Sequence, residues 1–198
     1  CWVCLAGGVN VDLSLAFFRK LTGLPLQAGG FGVGNFFVAK DAVQRAQAEQ
    51  LVEELLQRHE LTVLLKRELP LDARVARPAA QKYQLPIVQW VFAAPAGLAD
   101  QDAFEVRIYQ ALLAIEARAF NEEQFGGLYP LSLSSRTQVF KARLNSNEVI
   151  PYFKDLTDPD HAVRDLFFHT RFSTNTDPHT TMAQPFRLMA HNGELNTD

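Results

Sequence analysis

Three polar stretches near the C-terminal end of the sequence decide how the chain is interpreted. They read FHTRFSTNT at residues 168–176, AQPF at 183–186 and HNGE at 191–194. Apolar segments separate them, and those segments are typical of short strands. The first stretch places a guanidinium before a run of hydroxyls, and the third places an Asn-Gly pair beside a histidine. Together these groups can hold an amino-acid carboxylate and stabilise an oxyanion.

The arginine of the first stretch, Arg171, lies in the apolar run 166–172. This run predicts a buried strand that ends at a loop. A guanidinium matches a carboxylate with two parallel hydrogen bonds. A buried charge needs a partner, because leaving it unpaired is costly. That partner is either a bound carboxylate or, as a structural ion pair, Asp165 or Asp177, and the residues alone leave both open.

The Asn-Gly pair of the third stretch, Asn192 and Gly193, is ordinarily a turn dipeptide. It can also direct a side-chain amide and a backbone N–H at one oxygen, as a tetrahedral acyl-transfer intermediate requires. Such chemistry needs a nucleophile, and the chain has two cysteines, Cys1 and Cys4. Their Cys-x-x-Cys spacing is at most half a zinc site, so we interpret them as ordinary thiols.

Taken in order, the three stretches strongly resemble the glutamine amidotransferase domain of class II, the N-terminal-nucleophile type. Their sequences resemble those of glutamate synthase large subunits in particular. The sequence RFSTN at 171–175 disfavours other class II amidotransferases. Upstream segments resemble the same subunit in the same order, at residues 15–20, 31–34, 86–92 and 131–137. The resemblance covers residues 8–198 and defines a partial amidotransferase domain, preceded by an atypical segment, residues 1–7.

The resemblance implies a role for each group of the site. Arg171 would bind the α-carboxylate of L-glutamine, and Asn192 and Gly193 would form the oxyanion hole. The binding loop would contain Ser173, Thr174 and Asn175. No metal belongs to such a site, so His169 and His191 are interpreted as hydrogen-bonded residues that shape the pocket.

The nucleophile of the family is an N-terminal cysteine whose own α-amine acts as the base. An α-amine has a reference pKa of about 7.7–8.0, which suits that task near neutrality. Cys1 stands in this position, but it is followed by Trp2 where the family has glycine, and no His-Arg-Gly tract occurs. Its role as nucleophile is therefore doubtful. The resemblance predicts a domain that is incomplete at both ends and inactive on its own. The family binds the α-amino group of the substrate with an aspartate, and Asp198 is not expected to be that residue.

The function implied by the resemblance is release of ammonia from L-glutamine for the reductive amination of 2-oxoglutarate to glutamate. No cofactor is expected in this fragment, while FMN and an iron–sulfur cluster would belong to other domains of the full-length enzyme. The expected partners are L-glutamine, the remaining domains of the same subunit and a small reductase subunit. The alternative is a catalytically inactive remnant, or an interaction module, that lacks a competent nucleophile.

Composition excludes several other classes of protein. A hydrophobic content of 47% over 198 residues predicts a single globular domain. A net charge of −3 and a pI near 6.0 argue against a nucleic-acid surface. The sequence lacks an apolar run of membrane-spanning length and a signal-peptide pattern, and two cysteines give no disulfide framework. A cytoplasmic protein is the expectation.

The periodicity of the chain predicts an α+β fold. Helices are expected from Asp41 to about His59 and from Asp100 or Asp102 onward. Strands are expected over 61–69 and 87–93, with 129–134 and 137–144 as a neighbouring pair. The glycine-rich stretch 29–34 opens onto a strand rather than a helix, so close packing of sheets explains it better than a phosphate loop. The resemblance refines this fold to a partial four-layer α-β-β-α sandwich of the N-terminal-nucleophile hydrolase type.

Overall fold

The computed structural model describes residues 5–162, 164–171, 179–182 and 185, with the backbone alone at 5, 6, 170, 171 and 182. Seven strands and five helices are described there. The strands are β1 (Leu5–Asp12), β2 (Phe31–Phe37), β3 (Thr62–Glu68), β4 (Ile87–Ala93), β5 (Tyr129–Ser134), β6 (Thr137–Ala142) and β7 (Leu166–Arg171). The helices are α1 (Leu15–Thr22), α2 (Ala42–Arg58), α3 (Pro78–Gln81), α4 (Gln101–Asn121) and α5 (Ser146–Tyr152). Short 3₁₀ turns follow at Glu123–Phe125, Lys154–Thr157 and Thr180–Met182.

The helix starts follow from local capping chemistry. Asp41 accepts hydrogen bonds from the backbone N–H groups of Val43 and Gln44 at 3.1 and 2.9 Å, so α2 begins where the sequence predicts. Of the two candidates for α4, the cap is Asp100, and Asp102 lies in the first turn. These caps satisfy amide donors that the helix itself leaves free.

The larger sheet is fully antiparallel, with strand order β3-β4-β2-β5. Two glycines of β2 are required by packing. A Cβ atom at Gly32 would lie 2.5 Å from the Phe92 ring, and one at Gly34 would lie 2.5 Å from a Leu133 methyl. The stretch opens onto a strand, as predicted, but the glycines make room for side chains of the neighbouring strands of the same sheet rather than for a second sheet.

Helices α2 and α4 cover one face of this sheet. One face of α4 is apolar, and its residues Phe104, Ile108, Leu112 and Ile115 are all buried. They pack with residues from α2 and from the central strands, and Trp90 lies fully buried in the same cluster. This core holds α2 and α4 against the sheet through apolar contact.

The smaller sheet is also antiparallel, with order β6-β1-β7. A second apolar cluster joins the two sheets, with Val9, Val11 and Phe140 from the smaller sheet and Ile87 and Leu131 from the larger one. The predicted α+β class with largely antiparallel strands is confirmed.

Two sequence-based expectations are corrected. Strands β5 and β6 are adjacent in the chain but do not pair with each other: β5 pairs with β2, and β6 pairs with β1. At the turn between them, the hydroxyl of Ser134 accepts from the backbone N–H of Arg136 at 3.0 Å, and the chain passes from one sheet to the other.

The second correction concerns the run 166–172, which the sequence predicts to be a buried strand. The strand exists, but the side chains of Leu166, Phe167 and Phe168 are 46%, 56% and 68% exposed. Among the described residues β7 pairs only with β1, so one of its edges carries no described strand. None of the helices in the described part of the chain is both long and apolar enough to span a membrane.

Candidate active site

The strand register places the backbone of Arg171 at one end of the smaller sheet. Leu5, the first residue of β1, pairs with Arg171, the last residue of β7. The backbone of the predicted carboxylate-binding arginine therefore lies beside the start of β1. Cys1 precedes Leu5 by four positions in the sequence and lies outside the described residues.

The other predicted site residues lie outside the described residues, namely Cys1, Ser173, Thr174, Asn175, Asn192 and Gly193, together with His191. Of the two alternative ion-pair partners for Arg171, Asp165 contacts Arg164, with Nε and Oδ2 3.1 Å apart. Asp177 also lies outside the described residues. The assignment of Arg171 to a substrate carboxylate thus remains a prediction.

The described histidines near the site have no metal-binding arrangement. His169 lies on β7 opposite Gly8 and is half-buried. His179 is exposed, and its Nδ1 lies 2.8 Å from Oγ1 of Thr181. Over the described ranges, no three His, Cys, Asp or Glu side chains are grouped so that they could hold a metal ion.

A buried lysine on the smaller sheet was not identified from the sequence. Lys141, on β6, has only 1% of its surface exposed, and its Nζ donates to the backbone carbonyl of Thr181 at 3.0 Å. The same Nζ lies 5.0 Å from the centroid of the Tyr129 ring. Burial lowers the pKa of Lys141 to about 7. The available signal was a lysine between the apolar residues Phe140 and Ala142 of this strand.

A buried ion pair holds the chain that leads into β7. Arg67, on β3, pairs with Asp155, and its NH1 lies 3.2 Å from Oδ1 of that carboxylate. Oε1 of Gln89 accepts from Nε and NH2 of the same guanidinium at 2.9 and 2.7 Å. Nε2 of Gln89 donates to Oδ1 of Asn35 at 2.9 Å, which extends the network into the centre of the larger sheet.

The neighbouring residue His161 joins this region to the smaller sheet. Nε2 of Gln138, an amide donor on β6, lies 3.0 Å from Nε2 of His161, so that ring nitrogen must accept and carries no proton. The ring of Phe17 meets the imidazole edge-on, with centroids 4.7 Å apart. The pKa of His161 is lowered, mainly because the ring is buried. These contacts fix the turn that precedes β7.

Comparison with known proteins shows which family the chain belongs to. The family model for class-II glutamine amidotransferases matches residues 6–198, and the chain belongs to that family. It is 35% identical over 184 residues to ferredoxin-dependent glutamate synthase 2 of Synechocystis sp., covering 92% of this chain and 11% of that protein. It is also 35% identical over 196 residues to the large chain of NADPH glutamate synthase of Bacillus subtilis, covering 96% of this chain and 12% of that protein.

A third relative, the NADH glutamate synthase of Schizosaccharomyces pombe, is 33% identical over 200 residues, which cover 96% of this chain and 9% of that protein. The chain thus spans about a tenth of the length of the curated relatives that it matches. The predicted family is confirmed. The family match begins at residue 6 and β1 begins at Leu5, so the proposed boundary after residue 7 falls inside a strand and stays a prediction.

Proposed function

We propose that this chain is the glutamine-hydrolysing domain of a glutamate synthase. It would release ammonia from L-glutamine, and the remaining domains of the same protein would use that ammonia to convert 2-oxoglutarate into glutamate. Two findings support this: the family match over residues 6–198, and the similarity to glutamate synthases that depend on ferredoxin, NADPH or NADH.

The single structural observation that carries the proposal is the pairing of Leu5 with Arg171. Cys1 is four residues before Leu5, and four residues of extended chain span at most about 14 Å. A nucleophile at Cys1 and a carboxylate-binding Arg171 would therefore serve the same end of the smaller sheet. A glutamine held there by its α-carboxylate would direct its side-chain amide toward the N-terminal segment.

The chemistry follows the roles implied by the family. In the family's mechanism the thiol of an N-terminal cysteine, a role for which Cys1 is the doubtful candidate here, would pass its proton to its own α-amine, and the thiolate would attack the side-chain amide carbon of glutamine. Asn192 and Gly193 would stabilise the oxyanion of the tetrahedral intermediate. Ammonia would leave, and water would hydrolyse the thioester to give glutamate and the free thiol. Arg171 would hold the substrate throughout, with Ser173, Thr174 and Asn175 along the binding loop.

The finer architecture belongs to the same proposal. The two described sheets, with α2 and α4 on the outer face of the larger one, would form three layers of a four-layer α-β-β-α sandwich. FMN and the iron–sulfur cluster would lie in other domains of the longer protein. A small reductase subunit would be the further partner, and the protein would be cytoplasmic.

The proposal is tested by the identity of the nucleophile. The protein at its natural length is treated with an electrophilic glutamine analogue, and the labelled peptide is identified by mass spectrometry. Cys1→Ala should abolish both labelling and ammonia release from glutamine, whereas the matched control Cys4→Ala should retain both. Equal loss in the two variants, or labelling that survives Cys1→Ala, would remove Cys1 from the mechanism. Absence of both reactions in the wild type would favour the non-catalytic interaction module.

A further inference from the structure

Helix α4 (Gln101–Asn121) is apolar on both of its sides. The side that packs on the larger sheet is buried. On the opposite side, large apolar side chains remain exposed to a similar degree: Val106 59%, Tyr109 44%, Leu113 47% and Phe120 59%. Three of them follow one another at seven-residue intervals, so they lie in one line along the helix. We call these four side chains the outer stripe of α4.

The neighbouring helix α2 shows how an exposed side is ordinarily composed in this same layer. Its exposed side chains are mostly polar, at Gln44, Gln47, Gln50, Glu54, Gln57 and Arg58, with Val43 near its start. That composition is typical of a helix side in contact with water. A helix that is apolar all round is ordinarily buried on both sides. The outer stripe of α4 therefore indicates a surface that another element covers.

The two arginines beside the outer stripe already bind carboxylates of this domain. NH1 of Arg107 lies 3.2 Å from Oε2 of Glu60. NH2 of Arg118 donates to Oε2 of Glu122 at 2.9 Å, and its Nε binds the other oxygen of the same carboxylate. What the stripe offers a partner is therefore mainly apolar contact, which is favourable when it removes these side chains from water.

The shape and the charge of the outer stripe favour a protein helix as its occupant. The stripe is one residue wide and, from Val106 to Phe120, about 21 Å long at the rise of an α-helix. Apolar side chains in one line at seven-residue spacing are the pattern by which one helix packs along another. A helix that lies on a membrane surface is ordinarily rich in lysine and arginine. Helix α4 instead has three acidic and two basic residues, which disfavours a membrane.

The size of the outer stripe favours a partner in the same polypeptide over a second copy of the chain. A strip about 21 Å long and about 10 Å wide, the width of a helix, covers about 200 Å². Stable complexes between free proteins bury about 800 Å² on each partner, so the stripe alone is too small to hold a second copy. A covalently joined domain needs less area, because the linkage keeps its effective concentration high. This chain spans only 11% and 12% of its Synechocystis and Bacillus subtilis relatives, whose remaining length contains many further helices' worth of chain.

We propose that the outer stripe of α4 is the surface on which a helix from the remaining domains of the longer protein docks, with its apolar side against Val106, Leu113 and Phe120. This inference rests on the proposed function, which makes the chain one domain of a longer enzyme. The contact does not touch glutamine. It fixes the position of the glutamine-hydrolysing domain relative to its neighbours.

The direct test is site-specific photo-crosslinking in the protein at its natural length. The photoreactive residue p-benzoylphenylalanine replaces Leu113 and, as the matched control on α2, Gln50. At position 113 it should link α4 to a peptide outside residues 1–198 of the same polypeptide, whereas the control should give no such product. A product of doubled mass would identify a second copy, and equal yields at the two positions would show that the stripe is not a docking surface. Lipid adducts in place of peptide adducts, in a sample with anionic phospholipid vesicles, would identify a membrane. Each of these three results would overturn the proposal.

A second variant tests whether the contact holds the domains together. In Leu113→Asp the carboxylate would be buried without a partner against the docked helix. Amide hydrogen exchange of the cross-linked peptide should therefore speed up about tenfold, whereas Gln50→Asp should leave it unchanged. Unchanged exchange in Leu113→Asp would contradict the docking role. Neither measurement needs catalysis, so a protein that cross-links as expected but releases no ammonia from glutamine would refute the proposed function alone.

Discussion

Removal of the Asp155 carboxylate should be among the most destabilising single changes in the described fold. The ion pair of Asp155 with Arg67 is buried, with 8% and 17% of the two side chains exposed. It connects β3 of the larger sheet to the chain that leads into β7. Breaking such a pair from one side typically costs about 3–5 kcal/mol, because the remaining charge is buried without its partner.

The remaining contacts of Arg67 set the magnitude within that range. In Asp155→Ala the guanidinium keeps both bonds to Oε1 of Gln89, so we expect a loss near the lower end, about 3 kcal/mol. In a domain of this size that corresponds to a midpoint about 6–12 °C lower. Asp155→Asn keeps an acceptor oxygen, so its free energy of unfolding should lie between those of the wild type and Asp155→Ala.

The assay is urea unfolding at pH 7, followed by circular dichroism, with Asp72→Ala as the matched control. Asp72 pairs with Arg74, whose side chain is 88% exposed, so this variant should lose less than about 1 kcal/mol. Equal losses in Asp155→Ala and Asp72→Ala would refute the reasoning, because burial would then make no difference to the value of an ion pair.

Three further predictions concern packing and pH. Gly34→Ala should cost about 1–3 kcal/mol by urea unfolding, because its new methyl would lie 2.5 Å from Leu133; an unchanged midpoint would contradict the close packing. Lys141→Met should stabilise the fold by about 1–4 kcal/mol below pH 7. The pKa of Lys141 is about 7 in the folded state and 10.5 in the unfolded state, so the stability of the wild type rises with pH between these two values. The stability gained by Lys141→Met should therefore shrink over this range. A gain that does not change with pH would show that the buried charge is not its cause. Burial lowers the pKa of His161 below 6.5 in the folded state, so the stability of the wild type should fall as pH drops below that value. His161→Gln should reduce this dependence of the unfolding temperature on pH. An unchanged dependence would show that another group causes it.

Local chemistry made much of this fold predictable from the sequence. Asp41 caps a helix because its carboxylate satisfies amides two and three residues ahead, and the chain must then run helically through α2. The strand Ile87–Ala93 is apolar on both faces because it lies in the middle of a sheet covered on both sides. These features depend on neighbours in the chain or on simple periodicity, which is why they were predicted correctly.

Features set by distant contacts were not predictable in this way. The passage of β5 and β6 into different sheets depends on which strands they meet, and no turn residue between them encodes that choice. Burial of Lys141 likewise depends on a turn 40 residues further along the chain. The motifs around Arg171 predicted the family, and that family is confirmed, but the assignment of each site residue still depends on functional measurement.

The most direct test of the central claim is the kinetics of Arg171→Lys in the protein at its natural length. A lysine keeps the charge but cannot form the two-bond contact with the α-carboxylate of glutamine. Loss of a charge-assisted hydrogen bond is worth roughly 1.5–3 kcal/mol, so glutamine kcat/KM should fall about ten- to a hundredfold. Ammonia-dependent glutamate synthesis and the unfolding midpoint should stay unchanged. Normal glutamine kinetics, or loss of both reactions through unfolding, would show that Arg171 is a structural ion-pair residue and would contradict the account.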